Sequence, residues 1–328
     1  MPAKIPQKLP AFSRLREENY PVVPKSSESG EDINIFLKDK PRLNLVLLNL
    51  MPTKITTETQ IIRLLAGTDF LVNVELLFPK THSPENVDPS HMEKFYKKFQ
   101  EIREADFDYD AMIITGAPVE HLPFPKVTYW EELQSIMDWA RENISSTLFI
   151  CWGAQAALFH YYGIEKYPRS EKLFGVYSHR IQGEKNGLLQ GFNDEVLAPH
   201  SRHTRVRIED IEQEPEIDIL MRSGKAGFHL AADQRRGMIF QTGHFEYDAD
   251  TLKREYERDL NEGLDISLPE NYFPSNDPEK KPPLRWRAHG QLFYNNWLQL
   301  CYRRRQIANS KKSSKMDCAG EARLIPQL

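Results

Sequence analysis

The sequence predicts an α/β fold, a mostly parallel sheet with helices on both faces. Three observations carry that prediction. Short apolar runs alternate with helix-patterned stretches over residues 43–162. Pro or Gly closes the first of them, as crossover connections need. The apolar run 147–150 passes at once into Cys151-Trp152-Gly153-Ala154-Gln155-Ala156, a buried strand turning sharply into an Ala-rich helix.

Taken in order, residues 1–40 are polar and Pro-containing, and read as an N-terminal arm over the body or in an intersubunit contact. Residues 43–50 make the first strand, closed by Met51-Pro52. Thr56-Thr57-Glu58 opens a helix whose Ile61, Ile62, Leu64 and Leu65 share a face, ended by Gly67. A strand follows over 70–78, then a polar loop over 81–89, a helix over about 91–102 and a strand over 111–115. That strand leads into Gly116-Ala117-Pro118-Val119-Glu120, at the same carboxyl edge as Cys151. A helix over 131–141 precedes the Cys151 strand. Ligands of such sheets bind at this edge.

After Gly163, shorter strands are expected at 173–181 and 217–221. Another at 238–242 runs into Gly243-His244-Phe245-Glu246. Residues 250–260 read as a charged surface helix, 271–283 as a Pro-rich loop, and 291–302 as an amphipathic helix. The organisation expected is therefore an arm (1–40), a catalytic domain (41–305) and a disordered basic tail (306–328). Arg303-Arg304-Arg305 and Lys311-Lys312 fit a solvated tail better than a nucleic-acid arm.

Composition narrows the class. The chain has 328 residues, 40% hydrophobic and 27% charged, with a net charge of -4, so nucleic acid is not an expected partner. Cys151, Cys301 and Cys318 are too few and too scattered for a disulfide framework, which fits a reducing cytoplasm. Pro2, Pro6 and Pro10 interrupt any signal-like segment, no apolar run reaches membrane length, and no internal repeat stands out.

The chemistry centres on Cys151. A side chain at a strand-to-helix elbow projects from the sheet edge, and the following helix aims its first N–H groups at it, favouring an anion there. A buried structural cysteine is the competing reading. A nucleophile needs a base, and the base needs a group to orient it. His244 and Glu246, two residues apart at a strand end, project to the same side and offer that pair. His179, His200 and His203 lie near this region, but their spacing defines no metal site, and no metal is expected.

The cysteine elbow followed by His-x-Glu resembles class I glutamine amidotransferases. The surrounding segments resemble more closely a family of that fold, the homoserine O-acyltransferases of methionine biosynthesis. They are Asn49-Leu50-Met51-Pro52-Thr53-Lys54, Thr115-Gly116-Ala117-Pro118, Cys151 to Ala156, Lys172-Leu173-Phe174-Gly175-Val176, Ala198-Pro199-His200-Ser201-Arg202 and Gln241 to Tyr247.

The resemblance implies that Cys151 takes the acyl group from acyl-CoA as a thioester. His244 would act as base, and Glu246 would orient it. Lys172, Ser201 and Arg258 would contact homoserine, and the backbone N–H groups of Trp152 and Ala117 would hold the oxyanion. Glu120 stands where the family carries glycine for succinyl transfer and glutamate for acetyl transfer. A carboxylate there would fill the acyl pocket and repel a succinyl carboxylate. The resemblance thus implies a homoserine O-acetyltransferase that uses acetyl-CoA as co-substrate, needs no cofactor, and works as a cytoplasmic homodimer. The alternatives are succinyl transfer, a glutamine amidotransferase, a cysteine hydrolase, or a non-enzymatic protein with a vestigial elbow.

Overall fold

The computed structural model describes residues 2–25, 40–81, 88–183 and 187–321. Its centre is the predicted parallel sheet. Strands β1 (Ala3–Ile5), β2 (Val22–Pro24), β3 (Arg42–Leu48), β4 (Leu71–Leu77), β5 (Tyr96–Lys97), β6 (Ala111–Ile114) and β7 (Ser146–Ile150) come first in the chain. Then follow β8 (Tyr167–Ile181), β9 (Glu195–Arg205), β10 (Asp218–Ser223), β11 (Gly227–Asp233) and β12 (Met238–Gln241). They lie side by side in the order β2-β1-β4-β3-β6-β7-β12-β11-β10-β8-β9, with β5 added beside β4. Pairing is parallel from β2 through β12 and antiparallel from β12 to β9.

The helices are α1 (Pro10–Glu17), α2 (Lys54–Ala66), α3 (Pro89–Phe95), α4 (Phe99–Arg103), α5 (Trp130–Asn143), α6 (Trp152–Tyr162), α7 (Ile208–Glu212), α8 (Thr251–Asn261) and α9 (Arg287–Glu321). Side chains alternate across a strand, so a sheet covered twice must bury both sets. In β3, Leu45 and Leu47 join one apolar core with Ile61 and Leu65 of α2 and Trp297 of α9. Val46 and Leu48 join the opposite core with Leu133 of α5 and Ala157 of α6. No helix among the described residues is long and apolar enough to cross a membrane.

Three local expectations are corrected. The first part of the 1–40 arm is built into the sheet: β1 pairs with β2 and β4, and Ala3, Ile5, Phe12 and Leu15 are buried. The Ser-rich stretch of that arm, over 26–32, lies outside the described residues. The single helix expected over 91–102 is two, because Tyr96 leaves the helical path to pair with Leu76 and give its hydroxyl to buried Glu58 at 2.6 Å. The last helix continues past Arg305 to Glu321, where a disordered tail was expected.

Register brings the functional segments to one place. Ile150 pairs with Gln241 and Phe149 with Ile114, so β6, β7 and β12 end level. Gly116, Cys151 and His244 therefore leave the sheet at one edge.

Candidate active site

Cys151 adopts φ 52° and ψ -114°, a positive-φ backbone conformation that side-chain-bearing residues rarely take. Its N–H is tied to the carbonyl of Gln241 at 2.7 Å. Its carbonyl accepts the N–H groups of Ala154 at 3.1 Å and Gln155 at 3.2 Å. The N–H groups of Trp152 and Gly153 are left without an intrahelical acceptor, as in any first helical turn. A Cβ on Gly153 would stand 2.7 Å from the Thr115 carbonyl oxygen, and one on Gly116 3.2 Å from the Cys151 Cβ. Two glycines thus let the elbow sit against the loop after β6.

His244 is buried and its Nδ1 meets a Glu246 carboxylate oxygen at 2.6 Å. Cys151 lies within electrostatic reach of the same ring. Burial alone would depress its pKa. The Glu246 carboxylate and the Cys151 sulfur overcome that and push it up to about 10. The favoured state of the ring beside Cys151 is therefore the imidazolium. Tyr247 stacks on this ring, with centroids 4.1 Å apart and planes 11° off parallel.

Lys172, Ser201 and Arg258 come from β8, β9 and α8, and two carboxylates on α8 gather them. Glu255 accepts from Lys172 Nζ at 2.7 Å and from Ser201 Oγ at 2.6 Å. Asp259 accepts from Lys172 Nζ at 2.9 Å and from Arg258 Nε at 2.8 Å. Sequence reading missed Glu255, Asp259 and Tyr247. A signal was present: two acids four residues apart on one helix face repel unless a cation meets them. Ser201 sits on a strand that the sequence pattern did not reveal. Burial above all, with the charges of Glu255, Cys151, Glu246 and Glu120, raises the pKa of Tyr247 well above the ordinary tyrosine value.

Glu120 does not reach loosely into a pocket. Its carboxylate accepts the His203 N–H at 2.9 Å, the Thr204 N–H at 3.1 Å and the Thr204 hydroxyl at 3.0 Å. Its own carbonyl takes a short hydrogen bond from Lys166. The side chain of Trp152 packs among Phe124 and Tyr129, so only its backbone faces the elbow. Ala117 is buried on the neighbouring loop.

Two clusters among the described residues have metal-ligand character: His179 with His200 and His229, and Glu120 with His121 and His203. The structure thus replaces His203 by His229 as the partner of His179 and His200. Nε2 of His179 and Nε2 of His200 are 3.1 Å apart, and His229 Nδ1 accepts the Gly243 N–H at 3.2 Å. Burial above all holds these three rings below the ordinary histidine range, His179 at about 4. The buried Arg202 guanidinium also disfavours a cation there. A Cβ on Gly243 would lie 2.7 Å from both His200 and His229. The rings act as neutral packing beneath the turn that carries His244.

Fold and site define a class: an α/β enzyme of the glutamine amidotransferase-like type with a cysteine at the elbow. A GMP synthase component from Thermoplasma acidophilum superposes with a TM-score of 0.50 at 13% identity, covering 81% of this chain and 98% of its own, which speaks to the fold alone. Within that class the chain belongs to the homoserine O-succinyltransferase family, whose model matches residues 2–307. Relatives named homoserine O-acetyltransferase are 52% identical in Acetivibrio thermocellus, over 91% of this chain and 95% of that protein. One from Geobacillus kaustophilus is 51% identical, over 91% of this chain and 96% of that protein. The chain is an acyltransferase.

Proposed function

We propose that this enzyme is a homoserine O-acetyltransferase working through an acetyl-cysteine. The observation that carries the reading is the strained Cys151 elbow within electrostatic reach of a His244 ring bonded to Glu246, with a charged network suited to a zwitterion on β8, β9 and α8. The Cys151 sulfur, as thiolate, attacks the acetyl carbonyl of acetyl-CoA. The N–H groups of Trp152 and Ala117 hold the oxyanion. The C–S bond to CoA breaks, and the His244 imidazolium protonates the departing thiolate. Neutral His244 next takes the proton of the homoserine hydroxyl, whose oxygen attacks the thioester. Collapse expels the Cys151 thiolate beside a restored imidazolium. Lys172 and Arg258 suit the homoserine carboxylate, and Glu255 its ammonium.

The family's printed description names succinyl transfer, so Glu120 bears on the donor. Two backbone N–H groups and a hydroxyl on β9 form a carboxylate-binding site, and Glu120 occupies it. A succinyl group would bring its own carboxylate to the same donors and find them taken. That extends the simpler picture of bulk and repulsion. Glu120→Gly should raise the use of succinyl-CoA relative to acetyl-CoA by about tenfold or more, since charge-assisted hydrogen bonds are worth roughly 1.5–3 kcal/mol each. An unchanged ratio overturns the assignment of Glu120.

The direct test is thiol release from acetyl-CoA and, separately, succinyl-CoA, with and without homoserine. Homoserine-dependent release from acetyl-CoA supports the reading, and the same from succinyl-CoA alone overturns the donor. Release independent of homoserine overturns the transfer reaction itself. The reading also places the enzyme in the cytoplasm as a homodimer, for which light scattering should give twice the chain mass.

A further inference from the structure

A second feature lies beside the site and is used by none of the chemistry above. A cavity of about 310 Å³ is lined by Arg169, Arg202, Arg205, Arg207 and Lys225, with Glu209 the one acid in its wall. Its size is at the lower end of small-ligand sites, which run roughly 300–1,000 Å³. Five cations in one cleft of a chain whose net charge is -4 are a local concentration of positive potential.

Few of these charges are neutralised. Lys225 is paired with Glu270. Among the described residues, the four arginines form no ion pair with a carboxylate. Arg202 is buried and donates to the carbonyls of Thr204, at 2.8 Å, and Ala226. Its Nε, like the buried Nε of Arg169, has no hydrogen-bond partner. The Arg207 guanidinium carbon sits 3.7 Å from the Tyr167 ring centroid, a cation–π contact that holds it in place. Burial above all, and the neighbouring Arg205 charge, depress the Arg169 pKa despite the nearby Glu171 and Glu270.

Two residues of the cleft wall lie near the active site. Arg202 follows Ser201 and lies within electrostatic reach of Cys151 and Glu120. Thr242, in the cleft wall, directly precedes Gly243 and His244.

We infer that this cleft receives the phosphates of the acyl donor's 3′-phosphorylated ADP tail. Guanidinium forks match phosphate oxygens, and the donor is the one substrate of the proposed reaction that carries them. The inference rests on the acyl-CoA reading of Cys151.

The test separates the two. Binding of adenosine 3′,5′-bisphosphate and of inorganic pyrophosphate is measured by calorimetry on the wild-type enzyme and on the Arg205→Ala/Arg207→Ala variant, whose changed residues are exposed. In parallel, the KM for acetyl-CoA is compared with that for S-acetylpantetheine, which lacks the phosphates. The expected result is bisphosphate binding weakened about tenfold or more in the variant, with a KM rise of similar size confined to acetyl-CoA. Equal bisphosphate affinity in both proteins, or an equal KM rise for both donors, overturns the assignment. Pyrophosphate binding as tight as the bisphosphate reduces the cleft to a bare anion site and also overturns it. If no acyl transfer occurs with either donor, the acyl-CoA reading itself fails, whatever the calorimetry gives.

Discussion

At Cys151 the backbone is held at φ 52° by bonds on both sides, and its partner His244 is held cationic by Glu246. These two facts make the residue scale unusual here. A histidine whose native pKa is about 10, against 6.5 when free, adds stability fully below pH 6.5 and loses it as pH rises through 10. Glu246→Gln removes the carboxylate that helps overcome burial, so His244 should lose its proton at a lower pH. Iodoacetamide alkylation of Cys151 at pH 7 should then slow by about tenfold, because a neutral ring no longer stabilises the sulfur anion. An unchanged alkylation rate would sink the role of Glu246. The same cysteine could be read from sequence because strand and helix patterns met at it. The hydrogen bond to Gln241 could not, since Gln241 is remote in the chain.

Among the elements, α6 depends on how closely it approaches β6. Gly153 permits that approach: a methyl there would meet the Thr115 carbonyl at 2.7 Å and the Ile114 carbonyl at 2.8 Å. Both are backbone atoms of the strand end and its loop, and cannot swing aside as a flexible side chain would. Gly153→Ala should cost about 1–3 kcal/mol by urea denaturation and lower kcat by displacing Cys151. Wild-type stability and kcat would show that the contact can relax. Helix α8 illustrates the opposite problem. Its charges looked like a solvated surface, yet Glu255 and Asp259 face inward onto Lys172 and Ser201. Periodicity reports apolar faces, so an inward charged face stays hidden until its partners on other strands are in place.

For the whole molecule, the antiparallel extension sets the acid response. His179, His200 and His229 are wholly buried on three of its strands and held below the free histidine pKa. Groups depressed in this way bind protons in the unfolded chain first, so stability falls as pH drops below 6.5. His179, held at about 4, should alone cost about 2 kcal/mol at pH 5. His244 works in the opposite sense, but as one group against three. Urea unfolding at pH 7 and pH 5 should therefore show a clear loss in acid, and equal or greater stability at pH 5 would contradict it.

The parallel sheet, the cysteine elbow and the His244–Glu246 pair were legible because each is local: a short apolar run, a glycine, an alternation of two. The packing of the N-terminal segment into the sheet, the break at Tyr96 and the extent of the last helix were not. Each depends on a partner far away in sequence, as Tyr96 does on Glu58 and Leu76. By itself the sequence determined the fold class, the position of the cysteine elbow and the family resemblance. Only the tertiary structure decided that Glu120 fills a carboxylate site on β9, that Glu255 joins Lys172 to Ser201, and that four arginines line one cleft. Hydrogen bonds and charges act over a few ångströms of space, and distance along the chain does not encode that separation.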